Sequence, residues 1–468
     1  MRTAPYSRLA VAAVCLAALA GCALQPPPTA TDLKQQALPH TEVPAAFKAA
    51  GGVPAPVADL WLASFSDPAL SKLVDEALAY NADLQVAAAR VEQAAGYVKV
   101  ASGALLPSVG VAAMGGGKSG GSGGLDGVWL NASLELDVWG RLRYGQAASQ
   151  AQSEAAAADY AYARQSLAAT VAKGWFVAIE AGLQRSIAQE ALRAAENLLR
   201  IAQERLRVGN GNEQAVAQAR VNVGTARDGM RQIEQAREQA LRSLEFVLGR
   251  YPAAEVAVAE RLSTLPPPAP VGMPSELLER RPDVVAAERR VAAAFDRVGE
   301  ARAAQLPKIG LTAGGSSVSS DLIVLKDTSN PIWSLGANLL APLYQGGALR
   351  AQVEIRTAEQ KQAVAEYARA GQRAFGEVEN ALAAEAALRD REAILEATVR
   401  DSARALELTQ IQYRVGSTDL RAVEQSQLAL YSARIGLLRV QTERLAQRVN
   451  LHLALGGGFE PAVITAAR

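Results

Sequence analysis

Leu105-Leu106-Pro107-Ser108-Val109-Gly110-Val111 returns 200 residues later as Gln305-Leu306-Pro307-Lys308-Ile309-Gly310-Leu311. Upstream, Asn81-Ala82-Asp83-Leu84 returns at the same offset as Arg281-Pro282-Asp283-Val284. Downstream, Arg207-Val208-Gly209 returns as Arg414-Val415-Gly416, 207 residues on. Three landmarks repeated in one order mark an internal duplication, and the slip of seven residues implies small insertions between two copies of one unit. Each copy reads helix, strand, Gly/Ser-rich turn, strand, very long helix, tight turn, helix.

The strands carry a period of two. Leu130, Ala132, Leu134, Leu136 and Val138 alternate with Asn131, Ser133, Glu135 and Asp137. In the second copy Trp333, Leu335, Ala337 and Leu339 alternate with Ser334, Gly336 and Asn338. With glycine-rich first strands at about 109–115 and 309–317, hairpins are expected at about 109–138 and 309–342. Such a sheet is either half-buried in a soluble domain or, in a lipidated protein, a membrane barrel with apolar residues out and polar residues in. Four strands do not close a barrel, since the smallest single-chain membrane barrels have about eight. An open edge in lipid leaves unpaired backbone groups that cost several kcal/mol each, so a barrel must be shared between chains. Two, three or four chains would give about eight, twelve or sixteen strands, and the strand count does not choose among them.

No proline interrupts the segments from about Arg141 to Arg207 and from about Leu349 to Arg414. As helices each spans on the order of 100 Å. Ala191, Leu192, Ala195, Leu198, Leu199, Ala202 and Leu206 fit coiled-coil-like packing in a helical wall, with a soluble bundle as the bland alternative. Asp67-Pro68 reads as an N-cap with proline at the first helical position, opening a helix through about Ser102.

At the start, Arg2 and Arg8 precede an apolar run from Leu9 to Ala20, and Leu19-Ala20-Gly21-Cys22 resembles a bacterial lipobox. Residues 1–21 then form a signal peptide and Cys22 is the acylated first residue of the mature chain. Cys15 leaves with the signal, so the mature chain forms no disulfide. Prolines 26, 27, 28, 39, 44, 54 and 56 without periodicity read as an extended linker. After the signal no run of 18 residues is apolar and uncharged, so a membrane crossing must use strands. The resulting division is a linker at 22–66, repeat units at 67–260 and 261–456, and a tail at 457–468.

The chemistry is sparse. Lys and Arg number 48 against 47 Asp and Glu, which gives no basic excess for nucleic acid. The two histidines, His40 and His452, lack neighbouring ligands at metal spacing, so neither a metal nor a catalytic site is expected. The glycine-rich stretches at 115–117 and 120–124 lack the helix geometry of a phosphate loop and read as a hairpin loop. Four scattered methionines, at 1, 114, 230 and 273, offer no soft-metal cluster for copper or silver. The expectation is a non-enzyme without cofactors.

Pro274-Ser275-Glu276-Leu277-Leu278-Glu279-Arg280-Arg281-Pro282-Asp283-Val284, with Gly299-Glu300-Ala301-Arg302-Ala303-Ala304-Gln305-Leu306-Pro307, resembles the lipidated TolC-like branch of the outer membrane efflux protein family. Trp61 to Leu70 and Asn450 to Gly458 share the likeness, which covers essentially the whole mature chain. The resemblance implies a mainly α fold with a small β part: a coiled-coil helical barrel below four transmembrane strands per chain, shared as a 12-stranded β-barrel in a homotrimer. It implies a lipid-anchored, membrane-spanning protein of the cell outer membrane with a long periplasmic part. The implied partners are a periplasmic adaptor (membrane fusion) protein, an inner-membrane pump of the resistance-nodulation-division type, and outer membrane lipids. The implied function is passive conduction of drugs or other small molecules, with a type I protein secretion duct as the alternative.

By the same resemblance, Val208, Gly209, Asn210, Val415, Gly416 and Ser417 form the adaptor-docking tips; a helix stop by glycine is the structural reading. Just beyond the second turn the family commonly carries Leu-Asp-Ala-Gln, whose aspartate lines the constriction. Here Glu424-Gln425-Ser426-Gln427 stands instead, and Arg421 takes the place of a frequent leucine. Tyr413, Arg421, Glu424 and Gln425 are therefore expected near one helical face as the periplasmic gate, while Arg421 with Glu424 also fits an i, i+3 pair on a solvated face. The first copy has Gln214, Ala217 and Gln218 at the corresponding places, without charge.

Overall fold

The computed structural model describes residues 24–49, 57, 59–114, 125–320 and 332–459. The expected signal peptide, Cys22, the glycine-rich loop at 115–124 and residues 460–468 of the tail lie outside them. The elements are α1 (Ala30–Ala37), α2 (Trp61–Ser64), α3 (Pro68–Tyr80), α4 (Ala82–Gly103), β1 (Ser108–Met114), β2 (Leu125–Leu136), α5 (Arg141–Arg207) and α6 (Glu213–Leu248) in the first half. The second half has a 3-10 turn (Pro274–Glu276), α7 (Leu277–Arg280), α8 (Pro282–Ala303), β3 (Lys308–Ser320), β4 (Ile332–Leu340), α9 (Ala348–Arg414) and α10 (Leu420–Ala454). The chain divides into two compact units. One holds Met1–Thr41, Ala88–Asp159 and Asp283–Ala370, and the other Glu42–Ala87, Tyr160–Pro282 and Gly371–Arg468.

The first unit contains a four-stranded antiparallel sheet in the order β1-β2-β3-β4. Residues directly opposite share a face. The register aligns Val111 with Leu130, Leu130 with Gly315 and Gly315 with Trp333, so one face is aliphatic and aromatic from edge to edge. The other aligns Gly110, Asn131, Gly314 and Ser334. On the apolar face Val111, Trp333 and Leu335 are 70%, 73% and 87% exposed, which is untenable in water as a continuous patch and natural in lipid. Gly315 makes room for the indole of Trp333, since a β-carbon there would lie 2.8 Å from the ring. Below the sheet, Glu135 accepts both arms of Arg141 at 3.0 and 2.8 Å, and Asp137 accepts the Leu142 and Arg143 amides at 2.9 Å. These contacts fix where strand becomes helix. Trp139 Nε1 donates to the Pro307 carbonyl at 2.8 Å and ties the two copies together.

The second unit is organised on an apolar core of Trp61, Phe65, Leu70, Trp175, Phe176, Ile179, Leu241, Leu244 and Leu445. Asp67 is its polar hub. It caps α3 through the Ala69 and Leu70 amides and accepts from Trp175 Nε1 at 2.9 Å and Ser263 Oγ at 2.7 Å. Burial opposes its charge, but these donors outweigh it and hold the carboxyl below its ordinary range. One window of α5 reaches a mean hydropathy of 1.2, enough to cross a membrane by composition. Its residues between Ala168 and Ile179 supply the core, which accounts for that apolarity.

Several expectations are corrected. The helix foreseen from Asp67 to Ser102 breaks at Asn81, whose backbone is extended and whose Oδ1 caps Leu84 while Nδ2 donates to the Val247 carbonyl. The second copy breaks at the same repeat position, where Pro282 cannot continue a helix. The linker is not featureless: Thr29 and Asp32 form a capping box that opens α1. Val138 falls outside β2, and β3 extends to Ser320.

Asp296 of α8 is 5% exposed, and burial alone pushes its carboxyl up to about 6. A raised folded value means a contribution to stability that is complete below the unfolded value of 3.8 and lost as pH rises through 6. Asp296→Asn is expected to stabilise the protein at pH 7.5 by about 1–3 kcal/mol, with the gap closing toward pH 4. Guanidinium midpoints at both pH values check this, and a variant no more stable at pH 7.5 would mean the carboxylate is paired in the assembled protein.

Candidate functional site at the helical turns

Both long helices end in the same motif, built by the local sequence. Gly209 and Gly416 take φ of 80° and 81°, a region open to glycine at little cost. In the first turn Gly209 N donates to the Leu206 carbonyl at 3.1 Å and Asn210 N to the Arg205 carbonyl at 2.8 Å. In the second, Gly416 N donates to Tyr413 at 3.2 Å and Ser417 N to Gln412 at 2.9 Å. This pattern satisfies the orphan carbonyls at a helix end. Three residues after each glycine an Asx side chain starts the returning helix: Asn212 accepts the Ala215 amide at 2.8 Å and Asp419 the Ala422 amide at 3.0 Å. Sequence reading missed both caps, although the spacing Gly-x-x-Asx was repeated and visible. Val208 and Val415 project from the turns, 59% and 75% exposed.

Behind the turns lies a small core of Leu198, Ala202, Val216, Ala219, Tyr413, Leu420 and Val423. Tyr413 is 7% exposed, and the Arg205 guanidinium lies 4.0 Å over its ring while Nη2 donates to its carbonyl at 2.8 Å. The expected grouping of Tyr413 with Arg421, Glu424 and Gln425 on one helical face is therefore corrected. Tyr413 belongs to α9 and is buried against Arg205, whereas the other three lie on α10 beyond the turn. Arg205 was not foreseen.

Arg421 and Gln425, four residues apart on α10, are exposed. Glu424 is half-buried; burial raises its carboxyl above the ordinary range, against the opposing pull of Asn222 on α6 and the nearby Arg421. No ion pair joins Arg421 to Glu424 within hydrogen-bond reach among the described residues, so the i, i+3 spacing brings the charges near without pairing them. Glu424 also borders a groove of about 700 Å³ between α5, α6 and α10. Among the described residues no group of three or more His, Cys, Asp or Glu is placed to hold a metal ion.

The model of the family described as outer membrane efflux protein matches residues 73–250 and 273–457. The cation efflux system protein CusC of Escherichia coli is 30% identical over 95% of this chain and 97% of its own length. The pyoverdine export outer membrane protein OpmQ of Pseudomonas aeruginosa is 33% identical over 86% of this chain and 87% of its own. The outer membrane channel CmeC of Campylobacter jejuni superposes with a TM-score of 0.84 at 25% identity, covering 94% of this chain and 95% of that one. With both copies matched and the fold shared along nearly its whole length, the chain belongs to the outer membrane efflux protein family.

Proposed function

We propose that this outer membrane efflux channel works as a homotrimer that conducts small molecules through a duct closed at the helical turns until an adaptor docks there. The sheet carries the shared-barrel reading, and the family resemblance sets the number of chains at three. β1 and β4 are open edges on a sheet with one apolar face, and three such sheets joined edge to edge give about twelve strands with no edge left in lipid. Cys22 would add a lipid anchor, and residues 67–260 and 261–456 are the duplicated units that each supply one hairpin and one helical turn. Val208, Gly209 and Asn210 with Val415, Gly416 and Ser417 form two alike, apolar-tipped turns, the feature that suits them to an adaptor that engages both copies. An inner-membrane pump, of the resistance-nodulation-division type in this reading, supplies the energy that a passive duct lacks.

The gate is placed on α10 alone, because only the second copy carries charge there. Arg421 and Gln425 are free to meet their counterparts across a three-fold axis, and Arg421 can reach Asp419 or Glu424 of a neighbouring chain. In a narrow, partly desolvated tip such pairs contribute more than the about 0–1 kcal/mol of exposed ones. Tyr413 supports the gate indirectly by fixing the turn through Arg205. Arg421→Ala, alone or with Glu424→Ala, is expected to raise single-channel conductance of the trimer in planar bilayers severalfold, while native mass spectrometry still gives a threefold mass. Unchanged conductance in an intact trimer would return Arg421 to a solvated face.

The cargo of this chain is a small molecule in this reading. CusC, OpmQ and the channel CmeC share the fold, while the first two are named for a cation and for pyoverdine. The duct architecture therefore does not itself select cargo.

A further inference from the structure

The groove between α5, α6 and α10 has a volume in the range that holds drug-sized ligands. Its walls are mixed: Ala191, Ala195 and Leu198 from α5, Met230 from α6 and Leu428 from α10 supply aliphatic surface beside the amides and hydroxyls of neighbouring polar side chains. Two of its border charges cancel, since Arg434 Nη1 lies 2.5 Å from Glu190 Oε2. Glu424 remains. Its Oε1 is buried and finds no partner among the described residues. A buried acceptor without a donor costs about 1–3 kcal/mol, and burial accordingly disfavours the charged form of Glu424. Arg421, the nearest cation, is exposed and bonds to neither oxygen, so it screens the charge without filling the acceptor.

We propose that this groove is a binding site for amphipathic organic amines, with the ammonium donating to Glu424 Oε1 and the apolar body lying against Ala195, Leu198, Met230 and Leu428. The unfilled carboxylate oxygen selects a hydrogen-bond donor, and a cationic one over a neutral one, while the aliphatic side chains beside it select a ligand with an apolar end. A charge-assisted N–H···O bond is stronger than a neutral one, so the ammonium matters more than the ring it carries. The site needs only the fold of one chain's turn region and not a closed duct, but it shares Glu424 with the proposed gate, so a bound ammonium and a neighbouring chain's Arg421 compete for that carboxylate.

Equilibrium dialysis of the full-length trimer in a nonionic maltoside tests the proposal, with protonated 1-naphthylmethylamine and its neutral isostere 1-naphthalenemethanol as probes and protein-free micelles as background. The amine is expected to bind saturably, about one per chain and at least tenfold tighter than the alcohol. Glu424→Gln, which keeps the volume and removes the charge, is expected to weaken the amine tenfold or more and leave the alcohol unchanged. Ala195→Trp, which fills the groove, is expected to weaken both. Absence of saturable amine binding to the parent, or amine affinity untouched by Glu424→Gln, overturns the assignment.

Discussion

Arg448→Ala is expected to destabilise each chain by about 3–5 kcal/mol, the cost typical of removing one partner from a buried, hydrogen-bonded charge. Arg448 is 2% exposed. Its Nη1 donates to the Pro266 carbonyl at 2.6 Å and to that of Pro267, and its Nη2 pairs with Glu385. The prolines have no N–H of their own and cannot join a ladder, so the guanidinium is what answers their carbonyls where the connection between the two copies crosses the core. Removing it leaves those carbonyls and Glu385 without their donor and opens a cavity. Arg448→Lys should recover little, because a point charge cannot reproduce a fork that reaches three acceptors. Guanidinium midpoints measure the loss, and limited proteolysis should find faster cleavage at 261–273. A variant as stable and as protease-resistant as the parent would show that water or a neighbouring chain satisfies these groups. The same guanidinium lies near His452, which burial first and this charge second push down to about 4. His452 therefore opposes folding increasingly as pH falls below its ordinary 6.5. Arg448→Ala should relax part of that acid sensitivity while lowering stability overall.

Which features could be read in advance follows from how local their causes are. The strand alternation at 130–138 and 333–339 and the proline-free helices ending at Arg207 and Arg414 are properties of neighbouring residues; the structure has strands and helices there, with β2 starting earlier, at Leu125, and ending at Leu136. Glycine at 209 and 416 was legible for the same reason: the left-handed backbone it permits is a local demand. The break at Asn81 was not, since asparagine is merely unfavourable inside a helix and here acts as a cap only because the Val247 carbonyl holds its amide. The equivalent break before Pro282 needed no such partner. Arg281 and Arg448 look like surface residues in the sequence, and their burial depends on Glu377, Ala454, Glu385 and two prolines brought from distant segments. Tyr413 was misplaced because helical spacing was carried across a turn. Beyond Gly416 the helix reverses, and residue counts no longer map onto one face.

Leu130→Arg is expected to abolish assembly of the channel in the outer membrane, while Asn131→Arg, its neighbour in sequence, leaves the trimer intact and changes conduction instead. The register decides the contrast. Leu130 stands opposite Val111 on one side and Gly315 on the other, in the apolar row of the sheet. Asn131 stands opposite Gly110 and Gly314 in the polar row. Arginine on the lipid face near the bilayer midplane costs about 2–4 kcal/mol in a membrane barrel, and three-fold symmetry multiplies that to about 6–12 kcal/mol per trimer. Few assemblies tolerate that loss, given net stabilities of the same order. At Asn131 the opposed glycines leave space for a longer side chain, and in the shared barrel its charge would face the lumen. Outer membrane fractions resolved as heat-modifiable trimers give the first comparison, and bilayer conductance with cation selectivity gives the second. If Leu130→Arg assembled normally and Asn131→Arg did not, the inside and outside of the barrel would be exchanged. If both assembled alike, the sheet would not face lipid and the shared-barrel reading would fail with it.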